Sequence, residues 1–246
     1  MSSPSVITES SFQGAWVRAV EVLAQRAWDC NNLVVHIQDV TKFDQAFHEE
    51  MKQFSRDVGI LLPKDVAYTI FPHNLYRLNN SRKKLFDAYN GDRGLYSWTR
   101  RRSRKGWGTY FRRMTHYEMP DGSVVNQLDR VILAMEDWEK VHRAAYAIVI
   151  PRPGTDTARP RGGPCLTFIL PQIHLSANHA SVGLLCVFRN HEFLERAYGN
   201  YWGLCNLTQF IASETQLNVG PLVCVSSHAY VASHRSKLRA LLNLST

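Results

Sequence analysis

The sequence lacks the paired cysteines that a disulfide framework or a structural zinc site needs. Its five cysteines are an odd number, and no two of them form a CxxC motif. Scattered thiols of this kind are typical of a protein that stays in a reducing compartment. We therefore expect a cytoplasmic protein without structural disulfides or zinc.

Long apolar runs are also missing. No run of the 246 residues approaches the length that crosses a bilayer, and the start, MSSPSVITESSFQG, has no positive segment followed by an apolar one. No membrane partner and no secretory signal are predicted. Hydrophobic residues make up 45% and charged residues 20% of the chain, as in soluble globular proteins. The length suits one large domain over residues 1–246.

Several familiar catalytic and binding motifs are absent. The chain contains no GxGxxG, no Walker loop, no GxSxG and no HExxH. Its histidines show no metal-ligand spacing, so no metal site is expected. A functional site must therefore be sought in less regular groups of residues.

Acidic residues are the minority, and the formal net charge is +8. A basic protein favours anionic partners such as phosphates or nucleic acids. The charge is concentrated in the arginine-rich segment TRRRSRKGWGTYFRR (99–113), where Trp107, Tyr110 and Phe111 are interleaved. This segment is a solvated loop, a phosphate-binding loop or a nucleic-acid patch, and composition does not separate the three.

Helical periodicity appears in five segments. We predict helices over 10–28 with Ser11 as the cap, over 42–59 ending near Gly59, over 126–145, over 201–220 with Gly220 at the end, and over 236–244.

Strand signals lie between these helices. They cover 31–40, 146–153, 164–175, 181–188 and 221–234, and the third and fourth segments are expected to pair. A loop rich in proline, glycine and arginine (151–163) separates two of these strands. Helices and strands mix without a strict β-α-β rhythm, which predicts an α+β fold.

Cys165 stands out because it opens a strand after two glycines and a proline. A cysteine there is a nucleophile if nearby arginines stabilise its thiolate. The alternative is a small buried apolar side chain, which is the usual state of a free cysteine.

His228 and Tyr230 are two residues apart in a predicted strand, so both side chains project from the same face. Together they suit hydrogen bonding to a sugar hydroxyl. The alternative is a satisfied polar pair on a half-exposed sheet.

A polar cluster closes the preceding strand in the segment FRNHEFLERAYGNYW (188–202). Arg189 is suited to a phosphate, with Asn190 beside it, and Asn200 is able to present both a donor and an acceptor to a base edge. The alternatives are a surface salt bridge between Arg189 and Glu192 or Glu195, and a helix cap at Asn200.

These motifs in this order resemble the thymidylate synthase and pyrimidine nucleotide hydroxymethylase superfamily, over roughly residues 107–235. The resemblance implies that Arg189 and Asn190 hold a nucleotide phosphate and that Asn200 reads the pyrimidine. His228 and Tyr230 would bind the sugar hydroxyl. Pro164-Cys165 is similar to the family's Pro-Cys nucleophile.

The same resemblance assigns two further residues. Glu192 falls at the family aspartate and is the expected cofactor-binding residue. Arg143 is similar to an arginine that crosses to the partner subunit's phosphate site. The implied fold is therefore a mixed sheet packed with helices, whose face forms a homodimer. The segment that would carry the family's catalytic glutamate, VAYTIFPHNLY (66–76), has no carboxylate.

The mechanism implied by the resemblance is a one-carbon transfer. The Cys165 thiolate would add to C6 of a pyrimidine nucleotide, and Asn200 would stabilise the resulting anion. C5 would then receive a carbon from 5,10-methylenetetrahydrofolate and become methylated or hydroxymethylated. Asparagine at the base-reading position goes with a uracil-type nucleotide in this family.

Two other functions remain open from the sequence. One is a catalytically weakened member of the fold that binds a nucleotide, or RNA through residues 99–113. The other is an enzyme of this fold that acts on a non-nucleotide aromatic compound.

Overall fold

The computed structural model describes residues 3–102, 106–137, 143–156, 162–176 and 179–244. These residues form a mixed α+β structure, as predicted. The strands are β1 (Ser5–Glu9), β2 (Asp29–Ile37), β3 (Tyr117–Glu118), β4 (Val124–Val125), β5 (Ile148–Val149), β6 (Leu166–Ser176), β7 (His179–Phe188), β8 (His191–Glu192) and β9 (Asn218–Tyr230).

Helices fill most of the remaining described chain. They are α1 (Phe12–Gln25), α2 (Gln45–Val58), α3 (Pro63–Ile70), α4 (His73–Asn79), α5 (Arg82–Asn90), α6 (Leu95–Arg102), α7 (Tyr110–Thr115), α8 (Gln127–Glu136), α9 (Pro153–Asp156), α10 (Tyr198–Thr215) and α11 (Arg235–Leu241). A short π-helix over Phe193–Ala197 leads into α10. None of the helices in the described part of the chain has both the length and the apolar character needed to cross a membrane.

Seven strands form one curled mixed sheet in the order β1-β2-β9-β7-β6-β5, with β8 added beside β9. β9 runs antiparallel to β2 and parallel to β7. β6 and β7 pair antiparallel, as the sequence predicted. Because β7 ends opposite Ser226 and β8 begins opposite Ala229, the polar residues between them lie along the last part of β9.

The two faces of the sheet differ in burial. Along β9, Leu222, Cys224 and Ser226 are fully buried, whereas the intervening Val223 and Val225 are half-buried. Helices α1 and α10 pack on the buried face. The alternation therefore separates a helix-covered face from an apolar face that the described helices leave partly open.

Helices α3 and α10 approach each other closely at glycines. A Cβ atom on Gly199 would lie 2.6 Å from Cβ of Val66, and one on Gly203 would lie 2.7 Å from the carbonyl oxygen of Ala67. Only residues without a Cβ allow this separation. The contact fixes α3 beside the start of α10, where the candidate site lies.

Two helix predictions are confirmed at their ends. The side chain of Ser11 accepts a hydrogen bond from the backbone N–H of Gly14 and caps α1. Helix α2 ends at Val58, and Gly59 follows in the left-handed conformation with φ of 73°.

Two other helix ends were predicted wrongly. Gly220 does not end α10, which stops at Thr215 with Gln216 in the left-handed conformation, because Gly220 belongs to β9. The predicted helix over 126–145 is shorter, since α8 ends at Glu136. Residues 138–142 of the predicted helix lie outside the described residues.

Candidate functional site

A cavity of about 690 Å³ opens between α3, the segment before α7, the start of β6 and the start of α10. It collects five of the predicted site residues from four segments of the chain. They are Cys165, Asn190, Glu192, Asn200 and Tyr230. A concave site with a few convergent polar groups is the usual form of a small-molecule site.

Cys165 lies at the wall of this cavity, immediately before β6, and is partly exposed. The other four cysteines are buried, and none of the five is in a disulfide. Gly163, two residues earlier, has φ of 81°, a conformation that favours glycine. Cys165 thus lines the cavity and also packs against the hydrophobic core, and its role as a nucleophile stays a prediction.

Tyr110 holds the backbone around Cys165. Its hydroxyl oxygen accepts hydrogen bonds from the N–H groups of Cys165 and Leu166, at 3.2 and 3.4 Å. Burial raises the pKa of Tyr110 to about 12. The phenol therefore stays neutral and fixes the start of β6 at the cavity wall.

Arg189 braces the loop that precedes Cys165. Its Nε donates to the carbonyl oxygen of Pro164 and its Nη2 donates to that of Gly162, both at 3.0 Å. Its backbone N–H also donates to the carbonyl oxygen of Cys165 at 2.9 Å. Within the described structure this guanidinium donates to backbone carbonyls and forms no salt bridge with Glu192 or Glu195, so that alternative is wrong.

Asn190 connects the cavity to a polar chain on the sheet. Its Oδ1 lies 2.7 Å from Nδ1 of His228, whose Nε2 lies 2.8 Å from a carboxylate oxygen of Asp29 on β2. The rings of His228 and Tyr230 stack at 5.2 Å with an angle of 10° between planes. The two side chains share one face of β9, as predicted, and Tyr230 also lines the cavity.

The environment of Tyr230 favours the neutral phenol. Burial raises its pKa, and the negative charge of Glu192 acts in the same direction, whereas a hydrogen bond with Asn190 lowers it. Tyr230 is therefore a hydrogen-bonding group of the cavity and not an anion.

Glu192 caps the short π-helix before α10. One carboxylate oxygen accepts from the N–H of Glu195, and the other accepts from the N–H of Ala232 at 3.2 Å. Burial raises the pKa of Glu192, and these backbone hydrogen bonds lower it. Since both oxygens are engaged, its geometry is that of a structural cap, and its predicted contact with a cofactor remains a prediction.

Asn200 is buried and faces the cavity from the first turn of α10. Its Nδ2 lies 3.1 Å from Nε2 of His191, and Nδ1 of His191 lies 3.0 Å from Oγ of Ser226. Burial lowers the pKa of His191 to about 3, so the imidazole is neutral at ordinary pH. The helix-cap interpretation of Asn200 is wrong, because its side chain is bound to this histidine.

Sequence reasoning missed three charged residues that the fold brings to the cavity. Asp65 comes from α3, one residue before the segment that carries no carboxylate. Glu195 and Arg196 come from the π-helix, and their charged groups are 3.9 Å apart. Asp65 immediately precedes the segment 66–76, so the carboxylate stands one residue before the stretch in which the resemblance places one.

A buried ion pair supports the far wall. Arg113 on α7 and Asp156 on α9 meet through two hydrogen bonds of 2.9 Å, and both are more than nine-tenths buried. Nε of Arg113 also donates to the carbonyl oxygen of Trp107, a residue that lines the cavity. The arginine-rich segment therefore ends in a structural arginine.

The predictions for Arg143 and for the arginine-rich segment concern residues that the structure describes only in part. Arg143 lies in a short 3-10 helix over Arg143–Ala145, and its side chain is outside the described structure, so its crossing to a partner stays a prediction. Residues 103–105 and the side chains of 99–102 in the arginine-rich segment are also outside it. Arg112, which is described, lies 4.7 Å from the ring centre of Tyr96 and donates to Oδ1 of Asn90 at 2.9 Å.

No cluster of three or more histidine, cysteine, aspartate or glutamate side chains is placed to hold a metal ion among the described residues. Comparison of the chain with models of known protein families finds no match. A search of curated proteins likewise finds no significant relative. The site is therefore defined by its own geometry and chemistry.

Proposed function

We propose that the cavity binds a pyrimidine nucleotide of the uracil type and that the protein transfers a one-carbon unit to C5 of that pyrimidine. The fold would then be of the thymidylate synthase type. The observation that carries this proposal is the convergence of Cys165, Asn200 and Tyr230 on one cavity. These residues combine a nucleophile, a base-reading amide and a hydroxyl in one enclosed space.

The proposed chemistry begins at Cys165. Its thiolate adds to C6 of the pyrimidine, and the electron pair of the C5–C6 double bond moves towards the C4 carbonyl oxygen. The amide of Asn200 donates to that oxygen and stabilises the negative charge, an effect that is largest in a site shielded from water. Asn200 is only 3% exposed, which supports this role.

The sugar and phosphate have candidate partners in residues that line the cavity and in residues that lie beside it. Tyr230 and His228 lie next to each other, and Asn190 joins them. Arg189 is exposed beside the same turn, although two of its donors are bound to the loop. Arg196 supplies a second cation at the wall. We propose that the phosphate lies between these two guanidinium groups.

A proton must leave C5 once the new bond to carbon has formed, so the reaction needs a base. The Cys165–C6 bond breaks in the last step, when the thiolate leaves and the C5–C6 double bond is restored. Glu192 is held by backbone N–H groups, and Glu195 is close to Arg196. Asp65 is a carboxylate of the cavity wall that forms no ion pair and no side-chain hydrogen bond with the described part of the chain. We propose Asp65 as this base.

The one-carbon donor implied by the family is 5,10-methylenetetrahydrofolate, which when bound supplies a carbon at the oxidation level of formaldehyde. We propose that Trp107 and Leu61, which line the cavity, would offer apolar surface to its pteridine ring, and that Glu195 would offer a hydrogen-bond acceptor. Glu195 is better suited to this contact than Glu192, whose oxygens accept from the backbone.

We further propose that the protein is a homodimer formed through the open face of the sheet. Val34, Val223, Val225, Leu185 and Val187 point to that face and are half-buried in the single chain. An apolar face of adjacent strands needs a covering layer, and a second copy supplies one by isologous packing.

Release of tritium from 5-tritiated dUMP tests the enzymatic proposal. With 5,10-methylenetetrahydrofolate present, we expect release with the wild-type protein and none with Cys165→Ala, since the adduct at C6 is what activates C5. Cys30→Ala is the matched control, because Cys30 is a buried thiol outside the cavity, and it should retain release.

The same experiment separates the alternatives. Tight binding of dUMP without tritium release would contradict the transferase and support a nucleotide-binding protein. Absence of nucleotide binding in calorimetry would contradict both. RNA binding through residues 99–113 would show a strong decrease in affinity with salt, because phosphate contacts release counterions.

A further inference from the structure

The ring of His191 is held in one orientation at the base of the cavity. It is 1% exposed and stacks on Phe188 with ring centres 3.8 Å apart and an angle of 7°. Tyr201 packs edge-on against it at 5.7 Å, and Phe193 lies 5.0 Å away. With neighbours on every side, the ring has little freedom to rotate.

Both ring nitrogens have a partner. Ser226 Oγ lies 3.0 Å from Nδ1, and Asn200 Nδ2 lies 3.1 Å from Nε2. An amide nitrogen donates and does not accept, so with the Asn200 amide placed in this orientation Nε2 is the acceptor. A neutral imidazole carries one proton, which therefore resides on Nδ1 and is donated to Ser226.

This arrangement determines what Asn200 offers to a ligand. One amide proton is used by His191, so the carbonyl oxygen and the second amide proton remain for the cavity. In the opposite tautomer, Nε2 would donate to the amide oxygen, so the amide would be turned over and its donor and acceptor would exchange places in front of the ligand. The two orientations of the Asn200 amide therefore recognise bases with different patterns of hydrogen-bond donors and acceptors.

We propose that His191, held by Ser226, is a positioning residue that fixes the orientation of the Asn200 amide and so selects ligands with an N–H group next to a carbonyl. This inference rests on the proposed function, because it assigns the uracil-type edge that the same cavity recognises. A cytosine edge has an unprotonated ring nitrogen beside an amino group and so does not match the oriented amide.

The neutrality of the ring follows from its burial. The pKa of His191 is lowered to about 3, so between pH 5 and pH 8 the ring does not gain the second proton that would break the bond from Asn200. The selection should thus be independent of pH across this range.

Two measurements test the inference. The first is the ¹⁵N chemical shift of the His191 ring in the ligand-free protein, where we expect a protonated Nδ1 and an unprotonated Nε2. The second is the ratio of the dissociation constants for dCMP and dUMP, measured by calorimetry in the wild type, His191→Phe and Ser226→Ala. Phenylalanine keeps the stacking surface but removes both hydrogen bonds.

In His191→Phe we expect the dCMP-to-dUMP ratio to fall about tenfold or more, since a freed amide turns to suit either base. Ser226→Ala keeps the imidazole and its packing but removes the partner of Nδ1, so it should lower the ratio in the same direction. The matched control is His48→Phe, a buried histidine outside the cavity, which should leave the ratio unchanged.

Three outcomes would overturn the inference: a protonated Nε2 in the wild type, an unchanged ratio in folded His191→Phe, or an unchanged ratio in Ser226→Ala if the phenylalanine variant does not fold. If neither nucleotide binds the wild type, the proposed function fails. The ring shifts and the side-chain amide signal of Asn200 then still decide whether His191 orients that amide.

Discussion

The side-chain amide of Asn190 is hydrogen-bonded to two side chains of β9. Its Oδ1 faces His228, and it is also hydrogen-bonded to Tyr230, which lines the cavity. Asp29 holds the other nitrogen of His228 from the neighbouring strand. The hydroxyl of Tyr230 is therefore held in place by the connected side chains of Asn190, His228 and Asp29 before any ligand binds. Such preorganisation lowers the entropy cost of binding a ligand hydroxyl.

Asp65 provides a prediction at the residue scale. Asp65→Asn should lower tritium release from C5 by about 10²-fold, because an amide cannot accept the proton, while dUMP affinity stays unchanged. The release rate and the dissociation constant are the two measurements. Asp57→Asn, an exposed aspartate on α2, is the control, and equal losses in both variants would contradict the role of Asp65.

His191 gives a second prediction, on the pH dependence of stability. Its pKa is 6.5 in the unfolded chain and about 3 when folded, so the unfolded state binds more protons between these values. The contribution of His191 to the free energy of unfolding is therefore fully present above pH 6.5 and is lost as the pH falls towards 3. Between pH 7 and pH 5 the loss is about 2 kcal/mol.

Urea unfolding at pH 5 and pH 7 measures this loss. The difference in unfolding free energy between the two pH values should shrink by about 2 kcal/mol in His191→Phe, because phenylalanine does not titrate. The other histidines contribute equally to both proteins and cancel in the comparison. An identical pH dependence would show that His191 is protonated in the folded protein.

At the scale of elements, α7 and α9 are joined by one buried ion pair that supports the cavity wall. Asp156 accepts two hydrogen bonds from Arg113 and a third from the N–H of Arg152 at 2.7 Å. Arg113 in turn holds the carbonyl of Trp107. The position of Trp107 at the cavity wall thus depends on a charge pair more than on local helix propensity.

Removing one charge of the Arg113–Asp156 pair should strongly destabilise the folded protein. Asp156→Ala should reduce the free energy of unfolding by about 3–5 kcal/mol, since it leaves the buried Arg113 charge uncompensated. Thermal or urea unfolding measures the change. Glu118→Ala removes the exposed pair with Arg152 and should cost less than about 1 kcal/mol, so similar effects of the two substitutions would refute the assignment.

At the scale of the whole molecule, the sheet divides the protein into a helix-covered half and an open apolar face. The open face has no charged residue among its central positions Val34, Leu185, Val187, Val223 and Val225. A charged side chain introduced on this face would lose its hydration if a second copy covered the face, so it would oppose dimer formation.

The predicted consequence is a change of oligomeric state. The wild type should sediment as a dimer at micromolar concentration, and Val225→Asp should sediment as a monomer with unchanged circular dichroism. Leu133→Asp, at a half-exposed position on α8, should remain dimeric. A monomeric wild type would contradict the dimer and with it the crossing role of Arg143.

Local patterns in the chain were sufficient for the α+β class, for α1 and α2 with their caps, and for the β6–β7 hairpin. They also singled out Cys165, Asn190, Asn200 and Tyr230, to which the family resemblance added Glu192, and all five line one cavity. Such features follow from the spacing of neighbouring residues, because periodicity, capping and turn chemistry act over a few positions.

Contacts between residues far apart in the sequence could be identified only from the tertiary structure. Asp29 and His228 are 199 positions apart and meet because β2 pairs with β9, while His191 reaches Ser226 because β8 continues beside β9. Asp65 reaches the cavity because Gly199 and Gly203 let α3 approach α10. Strand order, register and helix separation arise from packing of the whole chain, so no short stretch of sequence contains them.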